Sequence, residues 1–268
     1  MKNSTREKRI SRMAMLIDGD NAQPSLIVKL LAETGKYGSP TIRRIYGDWT
    51  TPQMNGWKDC LNNHAIQPIQ QFRYTIGKNA TDSALIIDAM DLLHSELVDG
   101  FCIVSSDSDY TRLATRIREE GIFVMGIGQR KTPKPFVNAC NVFIFTENLT
   151  DDIDERAIEV AEKGADSGNG QPRPNPVPLL KEAFVMSADE DGWAHLGAMG
   201  TNLRQLDPSF DSRTFGYGQL LQLIKAHKDI FTIRKEDDKG PSAVYIKRRD
   251  KRRSKPKKKV KEEQVNKA

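Results

Sequence analysis

The feature that most limits how this chain can fold is an alternation, over its first half, of short wholly apolar runs with longer amphipathic ones. Residues 13–17 (MAMLI), 41–46, 66–71, 101–105 (FCIVS), 122–127 and 142–145 read as strands. Residues 24–32, 51–63, 82–95 and 110–120 read as helices, the clearest being 82–95. There Ala84, Leu85, Ile86, Ala89, Leu92 and Leu93 make one broad apolar face. Asn21 is an expected N-cap and Pro24 falls in the first turn of the first helix. Gly121 closes the 110–120 helix at a C-cap position. Strands apolar throughout are buried on both faces. The βαβα order therefore predicts an α/β domain with a mostly parallel sheet between two helical layers.

After residue 151 the pattern stops. Residues 164–178 (GADSGNGQPRPNPVP) have the Gly, Pro, Asn and Ser content of a linker. A second unit follows, with helices expected at 179–186 and 218–227. Two strands, 230–234 and 243–247, flank the turn-rich EDDKGPS. Helices ahead of a β-hairpin make a winged-helix shape. The expected organisation is 11–150, a linker at 151–176, a small winged-helix domain at 177–248 and a tail at 249–268.

Charge separates along the same lines. From Lys247 to Ala268 there are twelve Lys and Arg against three Asp and Glu, leaving 29 basic against 33 acidic residues elsewhere. A tail so poor in apolar residues is expected to be disordered, and its charge suits a phosphate backbone without sequence preference. No apolar stretch nears the roughly 20 residues of a membrane span, and the basic N-terminus is not followed by a signal-peptide core. A cytoplasmic protein is expected. Cys60, Cys102 and Cys140 form no CxxC pair, which argues against a disulfide framework or a zinc site.

Acidic residues gather where strands should end. Asp18, Gly19, Asp20 and Asn21 follow the first strand, and Asp107 and Asp109 follow the fourth (SSDSD). Asp82 opens the clearest helix and shares its apolar face with Leu85, Ile86 and Ala89, so it should face the sheet. Ligand sites in open α/β sheets lie outside the carboxyl ends of strands. If the first and fourth strands are neighbours, Asp18 and Asp107 converge. Clustered carboxylates need protons or a cation, and Mg²⁺ suits an all-oxygen set. Local alternatives stand beside this reading. Asp82 or Asp109 would cap a helix, Asp20 would serve the turn, and Asp88 and Asp91 would lie on a solvated helix face. A phosphatase or phosphotransferase using Asp18 as nucleophile is a further alternative. GIGQRKT (residues 126–132) lacks P-loop spacing.

With IDGDN, GKNATDSALIIDAM and VSSDSDYTRL in view, in that order, the first domain resembles the NYN family of PIN-like ribonucleases in its LabA-like branch. The resemblance implies a PIN-like three-layer domain and Mg²⁺- or Mn²⁺-dependent endonucleolytic cleavage of RNA. It implies catalytic and metal-binding roles for Asp18, Asp82, Asp107 and Asp109, with Asn21, Asp88 and Asp20 secondary. Ser106 and Tyr110 stand where relatives often carry Gly and Phe. The second domain is similar to the OST-HTH (LOTUS) winged helix, through PLLKEAF, the DGWAHLGAMGTNLRQL segment and AVYIK. That similarity implies a module that binds RNA or a protein partner; a silent RNA-binding adaptor is the alternative to an enzyme. Lys78, Arg130, Lys131, Lys134, Arg213, Lys225, Phe215 and Tyr217 are candidate RNA contacts. Trp193 and Phe231 are expected in the small core.

Overall fold

The computed structural model describes residues 10–72, 80–150, 174–236 and 243–249. Lys78, most of the linker and the basic tail beyond Arg249 lie outside them. The first domain is a six-stranded parallel sheet ordered β3-β2-β1-β4-β5-β6. Its strands are β1 (Arg12–Asp18), β2 (Ser39–Gly47), β3 (Gln67–Gln70), β4 (Gly100–Val104), β5 (Phe123–Gly128) and β6 (Val142–Phe145). All five strand pairings are parallel. The helices are α1 (Ile27–Gly35), α2 (Asn55–Asn63), α3 (Ala80–His94), α4 (Thr111–Glu119), α5 (Lys134–Ala139) and α6 (Glu147–Thr150).

The alternation along each strand explains the layering. Side chains of β1 point by turns to opposite faces, so Ala14 and Leu16 join one core with Leu85, Ala89, Phe101 and Ile103. Met13, Met15 and Ile17 join the other with Leu30, Trp57, Cys102 and Val104. From β1 the chain moves outward to β2 and β3, then returns to place β4 on the other side of β1. The β1–β4 boundary is thus the switch point of the sheet, where a cleft opens at the carboxyl edge. The register pairs Ile17 with Val104, so Asp18 and Ser105 leave the sheet side by side.

One local expectation is corrected. Asn21 is not the helix cap: Gln23 holds that position ahead of a 3-10 turn, Pro24–Leu26, with no side-chain cap. Gly19, in the turn after β1, keeps a negative φ. Glycine is needed there because a Cβ would lie 2.7 Å from the Tyr46 carbonyl and 2.6 Å from Met54 Cε. Gly121 does take the left-handed conformation, φ 72°. Helix α5 is not expected from the sequence, since its six residues, with Pro133 ahead of them and Pro135 in the first turn, are too few to show a periodicity.

The second domain contains α7 (Val177–Ser187), β7 (Trp193–His195), α8 (Leu196–Leu206), α9 (Leu220–Ala226), β8 (Phe231–Glu236) and β9 (Ala243–Arg248). The strands form an antiparallel sheet ordered β7-β9-β8. Leu180, Phe184, Met199, Leu203, Leu223, Phe231 and Ile246 form its core. Phe231 is a core residue as expected. Phe215 and Tyr217 pack against that core rather than standing out as contact residues. The two domains touch: the Phe143 N–H on edge strand β6 donates to the Pro208 carbonyl (2.8 Å). Asn148 donates to Thr214 Oγ1 (3.0 Å). Among the described residues, no helix is long and apolar enough to cross a membrane.

Candidate active site

Asp18 ends β1 and is fully buried. Burial pushes its carboxyl above the ordinary value, and the nearby Asp82 adds to the rise. Three donors oppose this. The Asn21 side-chain amide (2.7 Å) and the Ser105 hydroxyl (2.8 Å) both donate to Oδ2. The backbone N–H of Asp20 donates to Oδ1 (3.1 Å). Asn21 therefore serves Asp18 instead of a helix terminus. A carboxylate this enclosed is not presented as a phosphoryl acceptor, which weighs against the Asp18-nucleophile alternative.

In front of Asp18, Asp82, Asp107 and Asp109 come together. Each offers a carboxylate oxygen, and these oxygens lie within 4.8 Å of one another. Asp82 comes from the first turn of α3, and the other two from the loop after β4. Asp107, not Asp109, caps the short turn Ser108–Tyr110: its Oδ1 accepts from the Asp109 N–H (2.9 Å). The Asp107 N–H donates to Ser105 Oγ (3.1 Å), so one serine holds Asp18 and Asp107 in register. Asp18 is not one of the three mutually close acids; it backs them from within the sheet.

Burial raises the Asp82 carboxyl, and the Asp107, Asp109 and Asp20 charges raise it further. The Tyr110 hydroxyl opposes this, donating to Asp82 Oδ1 at 2.7 Å. Tyr110 is fully buried, and burial together with Asp18 and Asp82 pushes its own phenol upward, keeping it a donor. At the other departure, Ser106 Oγ accepts from the Gln129 N–H (2.9 Å) and ties this loop to the end of β5. Ser105 and Tyr110 are thus site residues that the sequence reading quoted without assigning a role. The signal was their place within and directly after the acidic motif.

Other nominated residues separate. Asp88 is neither on a solvated face nor in the acidic group: its carboxylate accepts from the Arg44 guanidinium and the Tyr46 hydroxyl. Asp91 is exposed, as expected. Arg213 is not an open contact. It reaches both oxygens of buried Glu33 (3.1 Å each) and both of Asp211, bridging the domains. Arg130 is exposed but donates through Nη2 to Asn148 (3.1 Å). Lys131, Lys134 and Lys225 are exposed. Trp193 lies outside the small core and meets Arg234 instead.

A doubly wound sheet with carboxylates gathered at its switch point defines an α/β domain of the acidic-site class. The chain belongs to the NYN domain family, which matches residues 12–150, more than half its length. The OST-HTH/LOTUS domain matches residues 171–243. Among solved structures, the chain is similar to a protein of unknown function from Vibrio parahaemolyticus (16% identity, TM-score 0.44, covering 55% of this chain and 97% of that one). It is also similar to an uncharacterized protein from Nitrosomonas europaea (31% identity, TM-score 0.27, 33% and 95%). No curated protein matches the chain.

Proposed function

We propose that this protein is a metal-dependent endoribonuclease that hydrolyses RNA phosphodiester bonds at the acidic cluster, with the OST-HTH domain as an RNA- or partner-binding module. The observation that carries the reading is the approach of Asp82, Asp107 and Asp109 within 4.8 Å in front of buried Asp18. Within the NYN family, such a cluster fits a nuclease better than a silent adaptor.

The donor set fits Mg²⁺ or Mn²⁺. It consists of carboxylate oxygens alone, the hard ligands these ions take. Burial, and after it repulsion from the neighbouring acids, leaves Asp82 reluctant to ionise, and a cation relieves this. Asp82, Asp107 and Asp109 would hold the ion directly, with Asp18 adding negative charge behind them. When bound, such an ion favours deprotonation of water and steadies charge on a phosphoryl oxygen. The chain's own residues do the rest. Ser105 fixes the spacing of Asp18 and Asp107, and the Asn21 amide favours the ionised form of Asp18 against its burial. Tyr110 orients Asp82.

The test incubates the full chain with single-stranded and structured RNA and DNA in Mg²⁺, Mn²⁺ or EDTA. A variant with Asp18, Asp82, Asp107 and Asp109 all changed to Asn is run beside it. RNA cleavage that needs the metal and the four acids is expected. Cleavage that survives EDTA or the fourfold variant overturns the proposal.

A further inference from the structure

The second domain carries a surface that the acidic site does not use. In the β7-β9-β8 sheet, Ala194, Ile246 and Ile233 turn toward the core. Alternation sends their neighbours to the other face. The register sets Trp193 beside Lys247 and Thr232, and His195 beside Tyr245 and Arg234. This outer face is built, not merely uncovered. The Arg234 guanidinium lies 4.4 Å from the Trp193 ring centre and 5.6 Å from that of Tyr245. Lys247 Nζ lies 5.6 Å from Trp193. The His195 ring meets Tyr245 edge-on at 5.5 Å. Arg249 Nε donates to Thr232 Oγ1 (3.0 Å), setting another cation along the same rim.

We infer that this sheet face is a stacking platform for unpaired RNA bases. The inference rests on the RNA reading proposed above and deepens it. Aromatic rings and a guanidinium plane offer flat surfaces to any base, and cations beside them meet the phosphates. His195, Arg234 and Lys247 are exposed, and Trp193 and Tyr245 are half-buried. Lys247 Nζ also donates to the Asp191 carbonyl (2.9 Å), which holds the cation at the edge of the indole. Charge selects the occupant. Strand β9 runs directly into a sequence of ten Lys and Arg against three acids, which suits a polyanion. A duplex hides its base faces; a single strand exposes them.

The test measures binding of the full chain to an unstructured RNA oligonucleotide and to a duplex of matched length. It is done in EDTA, so that failure of cleavage and failure of this face are scored separately. Trp193→Ala and Tyr245→Ala are each expected to weaken single-strand binding about tenfold with little change for the duplex. Trp193→Phe should retain most of the affinity. Arg234→Gln should lower the salt slope by about one. Single-stranded RNA should quench tryptophan emission in the wild type, and the quench should vanish in Trp193→Phe. Wild-type affinity for the single strand in both alanine variants, equal losses for duplex and single strand, or an unquenched wild type overturns the platform. So does poly-glutamate peptide displacing the RNA from this face at comparable concentration, which would assign it to an acidic protein partner.

Discussion

The Tyr110 hydroxyl donates to Asp82 Oδ1 across 2.7 Å, joining the loop after β4 to the first turn of α3. The bond favours the ionised carboxylate against burial and three neighbouring acids. Tyr110→Phe keeps the ring and removes the bond. Asp82 then becomes harder to ionise, so the acid limb of RNA cleavage should move to higher pH. Stability should fall by about 1 kcal/mol. A pH–rate profile beside the wild type checks this, and an unmoved limb refutes it.

Asp82 itself should be a source of instability. Its carboxyl is raised from 3.8 in the folded state. Below 3.8 it is protonated whether folded or not and contributes no penalty. Above the folded value it is charged in both states, and the full penalty applies. Asp82→Asn should therefore raise Tm at neutral pH by on the order of 2 °C. The gain should close as pH falls below 3.8. Mg²⁺ should raise the Tm of the wild type and not of the variant. Thermal melts at several pH values, with and without Mg²⁺, read both effects.

Much of this site was legible because its parts are local. Each acidic motif is a few contiguous residues beside a strong strand or helix, and the β1–β4 neighbourhood follows once the sheet is doubly wound. What escaped is long-range. Asp88 looks like a surface acid until Arg44 and Tyr46, more than forty residues away, close on it. Arg213 looks like a free cation until Glu33, 180 residues away, takes its guanidinium. Trp193 was placed in the small core because large aromatics usually are; only the register of three short strands turns it outward.

Asp88 should prove structural. Asp88→Ala strips Arg44 and Tyr46 of their shared acceptor, and Arg44 Nε is already without a hydrogen bond. A loss of about 1–2 kcal/mol in urea unfolding is expected, with RNA cleavage within severalfold of wild type. Abolished cleavage in a folded Asp88→Ala protein would instead give Asp88 the secondary acidic role that the NYN resemblance implies.

Arg213→Ala should act on domain docking rather than RNA. It leaves buried Glu33 with Lys36 as its remaining salt-bridge partner among the described residues, and takes the guanidinium from Asp211. A loss of about 2 kcal/mol is expected, with RNA affinity in a folded sample little changed. Urea unfolding and a binding titration separate the two.

Gly19→Ala should disturb the first acidic turn. The added methyl meets the Tyr46 carbonyl at 2.7 Å, and backbone cannot yield as a side chain can. About 1–3 kcal/mol of stability should be lost, and cleavage should fall as Asp18 and Asn21 shift together. Chemical unfolding and a cleavage assay on the same sample test it.

The hydrogen bond from Phe143 to Pro208 has a consequence for dissection of the chain. Strand β6 closes one side of the parallel sheet, and a loop of the OST-HTH domain lies against its outward amide. Cut away at residue 150, the first domain would present that border bare, a template on which a second copy can add its own strand. By occupying that border the small domain would hinder such strand addition, and a fragment ending at residue 150 should sediment as something larger than one chain.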